Sequence, residues 1–193
     1  TLIKLHFIFD TCTSDYLKSD ILKLYGNIGG EKEKELLINY TKSKNDLLYR
    51  AAALALGEMK DPDAIEPLIA LLNRVKNWNN GDTPVVIEAL ADIGDHRSDK
   101  VVKEVFRDDH QARKAGLKYF EAMDMQNAVP LVSSVMGYWS VDSDFRKDAI
   151  DFILKYNDVR GCKGIVKSLK DDGLSEDIAK RAEDEIQKVV DSF

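Results

Sequence analysis

Two cysteines, four prolines and eleven glycines in 193 residues leave few turn residues for a chain of many short strands, so a β-sandwich or barrel is disfavoured. Cys12 and Cys162 are far apart and fit no metal-binding or redox spacing. They read as two free thiols, which points to a reducing, cytoplasmic compartment. No apolar run approaches the roughly 20 residues that cross a bilayer. The longest candidate, Leu2-Ile-Lys-Leu-His-Phe-Ile-Phe9, is far shorter and has no small-residue cleavage site, so it reads as neither span nor signal peptide. A surplus of base is also missing: 28 Lys and Arg against 34 Asp and Glu give a net charge of −6. Such a surface does not replace the counterions of a phosphate backbone, which makes nucleic acid an unfavourable partner.

What is plentiful is Leu, Ala, Ile, Lys, Glu and Asp, a helix-forming set, and 44% apolar content is enough for one domain with a core. The helical material is also self-similar. An aspartate stands seven residues before a small residue at the centre of an apolar stretch in Asp46…Ala53, Asp82…Ala89, Asp109…Gly116 and Asp142…Ala149. Weaker copies occur at Asp15…Leu22 and Ser175…Ala182. Successive starts are 31, 36, 27, 33 and 33 residues apart, the length of two helices and two short turns. The first helix of each unit, A, opens on the aspartate or serine, a residue suited to cap its free N–H groups. The second, B, carries apolar residues at helical spacing, as in Ile65, Leu68, Ile69 and Leu72. The pattern predicts A helices near 15–27, 46–59, 83–93, 110–122, 143–155 and 175–191, and B helices near 32–42, 64–76, 99–107, 127–137 and 160–170.

The stretch Arg50-Ala-Ala-Ala-Leu-Ala-Leu-Gly-Glu-Met-Lys-Asp-Pro-Asp-Ala-Ile-Glu-Pro-Leu-Ile-Ala-Leu-Leu72 resembles the HEAT repeat, in the short variety of phycobilisome lyases. Ala89-Leu-Ala-Asp-Ile-Gly-Asp95 and Ala128-Val-Pro-Leu-Val132 echo it. The resemblance implies an all-α, right-handed α-α superhelix of about five helix-pair repeats, with A helices on the convex side and B helices on the concave, binding side. Physics agrees, because one helix pair cannot bury its apolar stripe alone and must stack on neighbours. The expected division is a single domain over 1–193: a remnant helix or strap at 1–14, five helix pairs over 15–170 and a terminal helix over 171–193. The chain starts at Thr1 rather than methionine, and its first residues are apolar where a terminal unit is normally polar. Both features suggest a longer array, or an N-terminal end covered by a partner or by a second copy.

Asp46/Arg50, Asp109/Arg113 and Asp142/Arg146 repeat an Asp-x3-Arg spacing, with Val86 in place of the arginine after Asp82. An active site is needed once and a stacking device in every unit, so these read as helix caps with a modest ion pair. His6, His96 and His110 form no metal set and read as surface or turn residues. Deoxyhypusine hydroxylase, an iron enzyme of this architecture, uses His-Glu pairs, whereas Phe7, Arg97 and Gln111 follow the histidines here. Gly26, Gly29 and Gly30 lie in an A–B turn and not after a strand, so no phosphate-cradling loop and no cofactor is implied.

Two features suggest binding. Trp78, in the long connection 76–84, and Trp139 follow two B helices, and tryptophan is enriched at interface hot spots. On B helix 99–107, Lys100, Lys103 and Arg107 follow i, i+3, i+7, and Arg160, Lys163 and Lys167 repeat this on 160–170. Both rows are displaced from the apolar stripe and point outward, flanking an uncharged helix that bears Ser133 and Ser134. The expected function is a non-catalytic scaffold that takes a protein partner, as an acidic or phosphorylated segment, between those rows. A bilin lyase-like subunit is the alternative, ahead of a HEAT-like DNA glycosylase, which would need a basic face.

Overall fold

The structure, a computed structural model, describes residues 2–76, 81–136, 143–156, 158–161 and 164–165, with isolated helical positions at 180, 183–184 and 186–188. The described elements are helices: α1 (Leu2–Thr11), α2 (Asp15–Ile28), α3 (Glu31–Tyr40), α4 (Asp46–Met59), α5 (Ile65–Val75), α6 (Asp82–Ile93), α7 (Asp99–Asp108), α8 (Arg113–Ala122), α9 (Val129–Val135) and α10 (Ser143–Lys155). No strand occurs among the described residues. Helices α2, α4, α6, α8 and α10 form the A row, each packed on the next, and α3, α5, α7 and α9 form the B row. Hairpin succeeds hairpin along one axis, as the thirty-residue spacing requires.

The helix starts correct the capping expectation. The caps of α2 and α4 are Ser14 and Asn45, one residue before the aspartate, and their side chains accept from Leu17 N and Leu47 N. The aspartate is then the first helical residue, where its charge complements the positive end of the helix dipole. A second periodic device lies in the A–B turns, where Asp61, Asp95 and Asp158 each accept the backbone N–H two residues on, from Asp63 (2.9 Å), Arg97 (2.8 Å) and Arg160 (3.0 Å). Each of these aspartates opens a short 3-10 turn, Pro62–Ala64, His96–Ser98 or Val159–Gly161, that leads toward the B helix. The predicted A helix at 110–122 likewise begins as a 3-10 turn, His110–Ala112, and becomes α-helical at Arg113.

Stacking rests on one continuous apolar cluster in which Leu22, Leu37, Leu56, Leu68, Phe106, Phe120 and Phe152 are fully buried. The A helices approach most closely where glycine meets alanine. A Cβ on Gly26 would stand 2.7 Å from Ala55 Cα, and one on Gly57 would stand 2.8 Å from Ala89 Cα.

In the Asp46/Arg50 copy of the Asp-x3-Arg spacing, the arginine reaches into the following unit. Arg50 Nε donates to Asp82 of the following unit, and Tyr49 Oη donates to the same carboxylate, which is fully buried. Arg113 and Arg146, at equivalent places, are buried, whereas the Arg50 side chain is 36% exposed. After Asp82 the arginine position is Val86, and Asp109 instead caps its own turn by accepting Gln111 N at 2.9 Å. The B row is tied along its turns: Lys34 Nζ contacts Asp61 (2.8 Å) and Asp63 (2.9 Å), and Arg97 Nη2 donates to Pro62 O (2.9 Å).

The first residues form a helix and not a strap. Phe9 of α1 is buried between the rings of Tyr25 and Tyr40, and Leu2 and Leu5 pack against the core. His6 Nε2 lies 2.6 Å from Glu33 Oε1, which fastens α1 to α3. Most of the terminal helix expected over 171–193 lies outside the described residues, although Ile186 packs against the core.

Candidate protein-binding face

Helix α7 is amphipathic because Val101, Val102, Val105 and Phe106 fall on one side and are buried. Lys100 and Arg107 are therefore exposed, and Lys103 is partly so. Arg107 in the last turn and Asp99 in the first both complement the helix dipole. Asp99 also accepts the buried hydroxyl of Tyr119 at 2.7 Å, which fixes α7 to α8.

The cations of the row are not bare. Lys103 Nζ donates to Asn127 Oδ1 at 2.8 Å, just before α9. Arg107 Nε donates to Asp108 Oδ1 at 2.9 Å, and that contact holds the Asp108 carboxyl below the usual range. Arg160 is exposed and Asp158 beside it is nearly buried; the guanidinium likewise depresses the Asp158 pKa. Lys100 makes no ion pair among the described residues.

Arg160 sits in the 3-10 turn Val159–Gly161 rather than inside a B helix. It lines an open cleft of about 380 Å³ at the A–B edge together with His96, Asp99, Asp124 and Asn127. Asn127, the acceptor of Lys103, lines the same cleft as Arg160. Lys163, Lys167, Trp78 and Trp139 lie outside the described residues.

The helices flanking α7 offer little charge. On α5 the exposed positions are Glu66, Ala70 and Asn73, and Glu66 lies 3.9 Å from Arg97 at the far end. On α9 they reduce to Ser134, with Pro130 and Leu131 half-buried. Ser133 is not part of this floor: it is buried, donates to Gly161 O (3.1 Å) and accepts Gly164 N (2.9 Å), pinning α9 to the next unit. Ser134 is exposed, with its hydroxyl turned back to Leu131 O.

Two further clefts are lined by charged side chains. One, of about 140 Å³, lies between Lys76 and the end of α7 and is lined by Glu104, Arg107, Asp108 and Asp109. The other, of about 320 Å³, lies between α8 and α10, where Lys114, Lys118, Asp148 and Asp151 surround Glu121. Withdrawal from water raises the Glu121 pKa, and Asp148 and Asp151 add to the rise. Neither lining supplies a thiol, hydroxyl or imidazole beside a base, the pairing that activates a nucleophile. No group of three or more His, Cys, Asp or Glu side chains suited to a metal ion occurs among the described residues. No helix among them is long and apolar enough to cross a membrane.

The family model described as HEAT repeats matches residues 8–80 and 35–119, which together span more than half of the chain. The chain belongs to the HEAT repeat family. A search of curated proteins finds no match. HEAT repeats are commonly protein-interaction scaffolds, and the helix pairs of this chain stack as such scaffolds do.

Within this HEAT array, two histidine contacts go beyond the sequence reading. The histidines were read as plain surface or turn residues, yet His6 meets Glu33 and His96 Nδ1 meets Asp99 Oδ2 at 3.0 Å. The second pair was legible, because Asp99 stands at i+3; the first spans 27 residues and left no local trace. The apolar N-terminal end was expected, and the structure extends it from α1 into α2. Among the described residues, every large apolar side chain left exposed lies in α1 or α2: Ile3, Phe7, Ile8, Tyr16, Leu17, Leu24 and Ile28.

Proposed function

We propose that this HEAT array is a non-catalytic scaffold whose B-helix face, centred on α7, takes an acidic or phosphorylated segment of a partner protein. The observation that carries this reading is the outward row Lys100, Lys103 and Arg107, set between flanking helices with almost no exposed charge. A segment laid across α7 meets cations on the middle helix and small or neutral side chains on either side. Carboxylate or phosphate oxygens accept charge-assisted hydrogen bonds from such a row. The ties already present do not oppose this: Arg107 and Asp108 are both exposed, and an exposed pair is worth about 1 kcal/mol or less, so a partner's anion replaces it cheaply. Lys163 and Lys167 extend the row by their spacing, and Trp78 and Trp139 stand beside it in sequence as aromatic anchors.

The test is affinity capture from native lysate with the wild-type chain and with a Lys100→Glu, Lys103→Glu, Arg107→Glu, Arg160→Glu variant, half of each lysate treated with phosphatase. The expected result is a set of acidic partners held by the wild type and lost with the variant, at unchanged circular dichroism. An identical partner set for both proteins ends the proposal.

A further inference from the structure

The α2 helix carries an exposed face built like the interior of the A row. Counting from the first residue of each helix, Ala55 in α4 and Leu24 in α2 occupy the same position. Ala55 is fully buried and stands against Gly26 of the preceding A helix, whereas Leu24 is 47% exposed. Leu48 and Leu17 are a second such pair, 7% against 42% exposed. The α2 surface opposite α4 thus repeats the apolar character of a packed A-row interface without an A helix on it, and Phe7 and Ile3 of α1 continue it at 68% and 85% exposure.

We infer that this face is a self-association surface, on which a second copy of the same chain docks its own α1–α2 face about a two-fold axis. Three observations select this occupant. The first is charge. The whole chain carries −6, so two copies repel in general, but α1 and α2 together hold Lys4, Lys18 and Lys23 against Asp10, Asp15 and Asp20. This end is neutral and offers both signs.

The second is self-complementarity, the property a two-fold interface demands. Asp20 and Lys23 are both exposed and lie 3.5 Å apart on one turn. An antiparallel crossing of two α2 helices centred between Ile21 and Leu22 sets Asp20 of each beside Lys23 of the other. The same crossing lays the Tyr16 and Leu17 end of each helix along the Asn27 and Ile28 end of its mate.

The third is area. A standard interface takes about 800 Å² from each partner. An aromatic side chain alone contributes about 150–250 Å² when buried, so Phe7 and Tyr16 with the five exposed aliphatic residues supply an area of that order.

The experiment is analytical ultracentrifugation of the full chain over a range of concentrations, with three sets of variants. Wild type is expected to sediment at twice the 21.8 kDa chain mass. Leu24→Glu with Leu17→Lys, at positions 47% and 42% exposed, is expected to give a monomer whose circular dichroism matches that of the wild type. Asp20→Lys alone and Lys23→Asp alone each set like charges together across the axis and are expected to raise the dimer dissociation constant about tenfold or more. The combined swap restores opposite signs and the dimer. A monomeric wild type overturns the inference and assigns the face to a different occupant, a preceding helix hairpin or an unlike protein. A dimer that survives Leu24→Glu overturns the face, and single swaps that behave like the double swap overturn the antiparallel axis.

Discussion

Asp82 has no solvent-exposed surface, yet it carries a charge, so its stability depends on the partners it keeps. Arg50 and Tyr49 both donate to it from the preceding helix, joining two repeats through one carboxylate. Removing the carboxylate leaves the buried Tyr49 hydroxyl without this acceptor, at about 1–3 kcal/mol, whereas Arg50 is 36% exposed and reaches water. Asp82→Ala is therefore expected to lower the free energy of unfolding by about 2 kcal/mol. Asp46→Ala, at the same place in the previous unit but exposed and bonded only to Leu47 N among the contacts seen, is expected to cost about 1 kcal/mol or less. Urea titration of the two variants checks the contrast, and equal losses would refute the inter-unit role. Glu33 gives a second test. The Gly30 N–H, with His6, holds its pKa below the ordinary glutamate value. A group depressed on folding contributes stability that is present above its ordinary value and lost as pH falls through the lowered one. Between pH 7 and pH 3 the urea midpoint of the wild type is thus expected to fall more steeply than that of Glu33→Gln, and parallel curves would remove Glu33 from the acid response.

At the scale of the helix, the close approach of α4 to α6 is set by Gly57. In an isolated helix Gly→Ala gains about 1 kcal/mol. Here the added Cβ would lie 2.8 Å from Ala89 Cα, a backbone atom that moves only with its helix. Overpacking of this kind costs about 1–3 kcal/mol and outweighs the propensity. Gly57→Ala is expected to lower the melting temperature by several degrees, and a raised one would show that α4 and α6 separate freely. The same helices show what the sequence makes legible. The seven-residue interval from Asp46 to Ala53 and its copies located each A helix among the described residues to within a few residues, because the apolar stripe and the small residue needed for stacking recur from unit to unit. The partner of Arg50 was not legible. Asp46 is four residues away in sequence and Asp82 is thirty-two, and only the stacking offset makes the distant one the neighbour. The basic row on α7 was legible as a helical face, but the bonds from Lys103 to Asn127 and from Arg107 to Asp108 depend on turn geometry that periodicity does not encode. Placing Arg160 inside a helix failed for a related reason: the Asp158 cap imposes a 3-10 turn there, and its signal is one aspartate per unit.

Across the whole molecule, each hairpin touches chiefly its neighbours, so stability is a chain of local terms and not one global quantity. Loosening one end has no direct path to the other. Glu33→Gln weakens one tie of α1 to α3, while Phe9 still packs on Tyr40, and leaves α8, α9 and α10 with every contact they had. Hydrogen exchange is expected to quicken in α1, to change slightly in α3 and α4, and to stay unchanged in α8 and α10. Asp82→Ala, in the middle of the array, is expected to quicken exchange on both sides, in α4 and in α6 and α8. A uniform rise across all helices in either variant would mean that the array unfolds as a single unit. Such cooperativity would also matter for binding, because the α7 row is useful to a partner only while α5 and α9 hold their places beside it. If the units loosen independently, Asp82→Ala weakens partner capture with every cation of the row intact, and that loss measures how much of the binding face is geometry rather than charge.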